Sequence, residues 1–334
     1  MILFQFAPKE QSSILFDLNT TDVLKFVACI MVAMSHFAGY ASVAGFSNPL
    51  YAVIAANCGY LGVALFFFLS GYGLMMSDQK KHLSLMEFLK KRLSKTYFPA
   101  VLVSFIWLLI NILINVNGDN LLCNNHYFFG VIWRFNDEVM WFVTTIIVLY
   151  LFFYLFRWFS VNIISRYLTL KASLVEFSTL VLVGIIATPL VRRTGIGDPI
   201  SVPLFFIGIS LACWQKEARR IFRSWVFLLV MVVIMVLIAC FGRYDNRMLH
   251  GVINYFAIGS FVAILAFVNI RIDSLPKWVG NSSYDLYLVH YKIHLLMVYL
   301  FGIDKLWMFA MGTAIATALF HQLRSFCKRR LKYV

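Results

Sequence analysis

The chain has 334 residues, of which 61% are hydrophobic and 13% charged. Soluble domains average roughly 45–50% apolar and about 25% charged residues, so this composition excludes an ordinary soluble domain and predicts a polytopic membrane protein. The formal charge of +14 does not point to nucleic acid, because the basic residues fall between apolar spans and not on one soluble face.

Windows of about 20 apolar residues predict an all-α bundle of ten membrane helices. They cover 22–40, 56–76, 97–116, 139–156, 174–190, 200–214, 224–241, 251–268, 280–301 and 306–323. Residues 1–21 lack the basic, apolar and small-residue order of a signal peptide, and Glu10 and Asp17 precede the first long apolar run. That run is therefore expected to stay as a span, behind a cytoplasmic N-terminal segment. With the N-terminus inside, 22 of the 29 Lys and Arg fall on the inner side. The asymmetry predicts that both termini are cytoplasmic, the last being a basic tail over 324–334. The longest predicted gaps, 77–96 inside and 117–138 outside, hold no soluble domain, so 1–334 reads as one membrane domain. The six cysteines show no CxxC or CxH pattern and read as small apolar fillers.

The first span, DVLKFVACIMVAMSHFAGY, carries Lys25 near its start and His36 deep inside. Eleven residues make nearly three helical turns, so both side chains point the same way, roughly 16 Å apart along the axis. Asp22 and Cys29 share that stripe. Polar residues on one face of a membrane helix usually line a cavity or substrate path. A histidine there serves either a hydrogen bond to a neighbouring helix or chemistry, since a neutral imidazole is a natural general base near pH 7.

The second span is rich in glycine and phenylalanine and passes through Ser70-Gly71 near its inner end. The glycines predict close helix packing. The inner loop FLKKRLSKTYFP puts Arg92 and Lys95 three apart on one predicted helical face. Such a cluster either sets topology or holds an anionic cytosolic group such as phosphate. The outer loop and fourth span give NDEVMWFVTT, with Asp137 and Glu138 just outside the hydrocarbon and Trp141 at an interfacial position. In the ninth span, Ser283, Tyr287, His290 and His294 form one polar stripe. His290 and His294 have zinc-compatible spacing, but without HExxH or a nearby third ligand no metal is expected.

Together these pieces resemble the membrane acyltransferase-3 family of multi-span O-acyltransferases, over most of the chain from Asp22 to about His294. That family's Arg-x10-His pattern is met by Lys25-x10-His36. Its Phe-rich second span ending in Ser-Gly is met by FFFLSGYGL. Its Arg-x-x-Arg before Tyr-x-Pro is met by Arg92, Lys95, Tyr97 and Pro99. Its late Ser-Tyr-x-x-Tyr-Leu-x-His signature is met by Ser283 to His290. Lysine replaces arginine at positions 25 and 95, which keeps the charge and loses the bidentate fork.

The resemblance implies transfer of an acyl group, usually acetyl from acetyl-CoA, to a hydroxyl of a cell-surface polysaccharide or lipid-linked glycan such as O-antigen, capsule or exopolysaccharide. The implied location is the cell inner membrane. His36 is implied as the catalytic base or transient acyl carrier. Lys25, Arg92 and Lys95 are the implied donor-binding cations, and Ser70, Glu138, Trp141, Tyr287 and His290 the candidate cavity-lining or substrate-binding residues. The alternative from another class is a glycan or small-molecule transporter without chemistry, which would also bury polar stripes. It lacks the paired broken spans common in transporter folds.

Overall fold

A computed structural model of the chain describes residues 3–6, 16–43, 49–115, 140–164, 201–222, 224–241, 247–268, 270–274, 277–301 and 305–331, with alternate positions over 180–188. In chain order these form β1 (Leu3–Phe6), α1 (Leu18–Val43), α2 (Pro49–Lys80), α3 (Leu85–Arg92), a π-helical turn (Leu93–Tyr97) and α4 (Phe98–Asn115). Then come α5 (Trp141–Phe159), α6 (Val202–Cys213), α7 (Gln215–Phe222), α8 (Trp225–Phe241) and α9 (Arg247–Val268). They are followed by β2 (Ile270–Ser274), α10 (Lys277–Phe301) and α11 (Leu306–Leu331). Five stretches among the described residues are long and apolar enough to cross a membrane: 18–41, 49–80, 85–110, 141–162 and 306–330. Helices α6, α8, α9 and α10 occupy four more of the expected windows but are shorter or more polar. Most of the window 174–190 lies outside the described residues.

Two features differ from the hydropathy reading. The expected inner gap 77–96 is mostly helical, because α2 runs to Lys80 and α3 starts at Leu85. The start of α3 is fixed by a capping box: Ser84 Oγ accepts from the Glu87 amide, and the Glu87 carboxylate accepts from the Ser84 amide. In addition, β1 and β2 pair as a short antiparallel ribbon, with Phe6 opposite Ile270. No turn signal joins these distant segments in sequence.

The described helices fall into two compact units. The first comprises 1–82 and 200–283, the second 83–199 and 284–334. In the first, α1 packs along α2, and α2 packs on α6. The run Gly62 to Leu69 is wholly buried, so the phenylalanines of α2 are core here and not a lipid-facing wall. Glycines permit these approaches. A Cβ on Gly62 would lie 2.7 Å from the Ala28 carbonyl oxygen of α1. At the α2–α6 crossing, Gly71 meets the Phe205 carbonyl and Gly208 meets the Phe68 carbonyl. Tyr72 closes this core: its hydroxyl accepts from the Phe16 amide at 3.1 Å and lies 3.3 Å from Gln215 Oε1.

In the second unit, α3 lies against α5, with Phe88 stacked on Phe153 at 6.3 Å between centroids. Pro99 follows the π turn directly, in the first turn of α4. Asp285 on α10 is fully buried and clamps α11 through two groups. His321 Nδ1 approaches one carboxylate oxygen at 2.8 Å, and Arg324 Nη1 approaches the other at 2.8 Å.

Candidate active site

In the first unit, α1 presents two faces. Ala28, Met31, Val32 and Ser35 turn toward α2, where Gly62 receives the first three and Ser35 Oγ donates to the Ala55 carbonyl at 3.0 Å. Asp22, Lys25, Cys29 and His36 lie about a quarter turn away. The lower part of that second face meets the start of α10. Asp22 lies against Gly280, and Phe26 meets Trp278 edge to face. Cys29 Sγ donates to the Ser283 carbonyl at 2.7 Å. Lys25 Nζ lies 3.6 Å from Asp22 Oδ1, with the two side chains 29% and 25% exposed. A partly exposed pair of this kind contributes about 0.2–1 kcal/mol, weak enough for the lysine to exchange its carboxylate for a stronger anion. His36 is half-buried two turns along the same face from Cys29. Ser70 is half-buried on α2, beside the Gly71 crossing.

In the second unit, the expected pairing of Arg92 with Lys95 on one face does not form. The five residues between α3 and α4 follow a π turn, which carries more residues per turn than an α-helix and so rotates Lys95 away from Arg92. Arg92 is half-buried, its guanidinium 5.6 Å from the Phe88 ring centroid and 5.5 Å from that of Tyr150. Lys95 is exposed and lines a cavity of about 940 Å³ with Glu87, Lys90, Lys91, Tyr97 and Lys328. The turn is held from across the unit. Tyr284 donates its hydroxyl to the Thr96 carbonyl at 2.7 Å, and Tyr150 hydrogen-bonds the Thr96 side chain.

The polar stripe of α10 continues above Tyr284. Tyr287 is 2% exposed, stacks parallel to Tyr284 and packs on Phe142 of α5 at 5.3 Å. Trp141, half-buried at the start of α5, accepts from Thr145 through its carbonyl. His290 is fully buried, with Nδ1 2.7 Å from the Tyr287 carbonyl oxygen. A carbonyl can only accept, so Nδ1 carries a proton and donates to it. His294 is edge-on to Phe309. Glu138 lies outside the described residues.

The structure thus groups Lys25 and His36 on one face of α1, sets Ser70 on α2, and within the second unit brings Arg92 near Tyr150, which shares Thr96 as a partner with Tyr284. It separates Lys95 from Arg92 and joins it to Lys90, Lys91 and Lys328, which sequence spacing left as topology signals. Lys328 sits 233 positions from Lys95 in the chain, so only the fold could pair them. The Asp285–His321–Arg324 cluster was also missed. Its signal was a carboxylate inside an otherwise apolar and aromatic motif. Among the described residues, no three of His, Cys, Asp and Glu come together to hold a metal ion.

A protein-family model described as an acyltransferase domain matches residues 19–320. No curated protein and no solved structure matches the chain.

Proposed function

The chain belongs to the acyltransferase-3 family and is a membrane acyltransferase, and from that premise we propose that it moves an acetyl group from cytosolic acetyl-CoA to a hydroxyl of a surface polysaccharide or lipid-linked glycan. The observation that carries the donor half is the 940 Å³ cavity lined by Lys90, Lys91, Lys95 and Lys328 beside Tyr97. Several lysines next to an aromatic ring suit a donor that combines phosphates with a purine. Lys25 and Arg92 are further cations for the same anionic donor. Lysine meets phosphate as a point charge, which suits a docking role more than a rigid fork.

His36 is the base. In the reaction it takes the proton from the acceptor hydroxyl as the oxygen attacks the thioester carbonyl. A C–O bond forms, the C–S bond breaks, and the proton on His36 passes to the departing thiolate. Ser70 and Tyr287 carry hydroxyl donors able to polarise the acyl carbonyl. His290, whose Nδ1–H is engaged by the Tyr287 carbonyl, is a further candidate to line the cavity and polarise the acyl carbonyl. Glu138 and Trp141 are assigned to the acceptor side, where an acidic group and an aromatic face suit a sugar. The enzyme works in the cell inner membrane.

The test is direct. Purified protein is incubated with labelled acetyl-CoA and surface polysaccharide, and ester-linked acetate on the sugar is measured. The wild type transfers label, and His36→Ala lowers the rate by about 10²–10⁴-fold. Full transfer by His36→Ala would remove the central assignment. Movement of glycan without acetylation would favour a transporter.

A further inference from the structure

The polar stripe of α10 runs through Tyr287, His290 and His294. Lys292 lies on the other side of the helix, because five residues from Tyr287 turn through about 500°, a net 140°. It is 4% exposed, and its ammonium sits 5.6 Å from the centroid of Trp107 on α4. The same side chain borders a cavity of about 310 Å³ formed by α4, α10 and α11 in the second unit. Trp107, Ile110, Val289, Leu296 and Leu319 supply much of the apolar wall, and among the described residues Lys292 is the one charged side chain on it.

An ionisable residue at membrane depth is costly and marks a functional position by default. A hydrocarbon-lined chamber with one positive group is complementary to a molecule carrying a chain and a single negative charge. The mouth identifies the source of that molecule. Leu319 is 61% exposed and Leu323 40% exposed on α11, so the cavity wall is continuous with an apolar outer surface that meets bilayer and not water. We propose that this cavity binds an anionic phospholipid, with part of one chain in the chamber and the phosphate drawn to Lys292. The site uses none of the residues assigned to acyl transfer.

The experiment uses the full chain, delipidated in detergent and titrated with phosphatidylglycerol or phosphatidylcholine, with bound lipid counted by native mass spectrometry. Wild type and Lys292→Arg retain phosphatidylglycerol in preference to phosphatidylcholine. Lys292→Met lowers that preference about fivefold or more. Ala316→Phe fills the chamber from α11, leaves the lysine in place and also loses the bound lipid, so the idea stays testable if Lys292→Met folds poorly. Equal retention of the two lipids by wild type would overturn the proposal. So would unchanged preference in both folded variants.

Discussion

Arg92 and Lys95 differ in what surrounds them, and that difference predicts how each affects the reaction. Lys90, Lys95 and Lys328 are exposed, so water screens whatever they bind and each contact is worth about 1 kcal/mol or less. Removing two of them as Lys95→Ala with Lys328→Ala should raise KM for the acyl donor roughly five- to thirtyfold. The maximal rate should hardly change, since donor binding is then lost equally from ground and transition states. The effect should shrink as salt is added. Steady-state kinetics at low and high ionic strength check this, and a fall in kcat with unchanged KM would count against a docking role. That Lys25 and His36 share one face of α1 was legible from sequence, because an offset of eleven residues needs only the 3.6-residue repeat. The pairing of Arg92 with Lys95 was misread for the opposite reason. The π turn between them is secured by a hydroxyl 188 residues away, on Tyr284, and no local spacing encodes that.

Among the elements, α2 offers a controlled comparison within one helix. Gly71 and Gly73 are two residues apart and look alike in sequence. A Cβ on Gly71 would run into the Phe205 backbone of α6, whereas a Cβ on Gly73 would meet nothing within 4 Å. Backbone cannot swing aside as a long side chain can, so Gly71→Ala forces α2 and α6 apart and should destabilise by about 1–3 kcal/mol. Gly208→Ala makes the reciprocal collision with the Phe68 carbonyl and should behave the same way. Gly73→Ala should be neutral or stabilising by up to about 1 kcal/mol, because alanine gains helix propensity there without a clash. Thermal unfolding of the three variants in one detergent would rank them. Equal melting of Gly71→Ala and Gly73→Ala would count against a close backbone contact at the crossing. The apolar windows made α2 legible as a helix. They could not tell which of its glycines meets a backbone, because that depends on where α6 lies.

At the scale of the whole molecule, the charge asymmetry makes a claim that the helices alone do not. Basic residues resist translocation when they lie close to a span, and 22 of the 29 are assigned to one side. The strongest contributions come from Lys80 to Lys95 and from the tail beyond Arg324. Both groups are carried on helices: the first around α2 and α3, the second at the end of α11, which closes with Lys328, Arg329 and Arg330 in its last turn. Lysine and arginine there also complement the negative end of the helix dipole, so the same residues cap the helix and anchor its end. The cavity sets Lys90, Lys91 and Lys95 together with Lys328 on one surface of the second unit, which is what a common side of the membrane requires. The tail should therefore be cytoplasmic, and the 117–138 connection should face outward. In a chain freed of its other cysteines, Asn120→Cys should react with a membrane-impermeant maleimide on intact cells. Cys327 retained alone should react only after permeabilisation. Reaction of both from outside would break the even-span topology, and with it the premise that a cytosolic donor reaches Lys95.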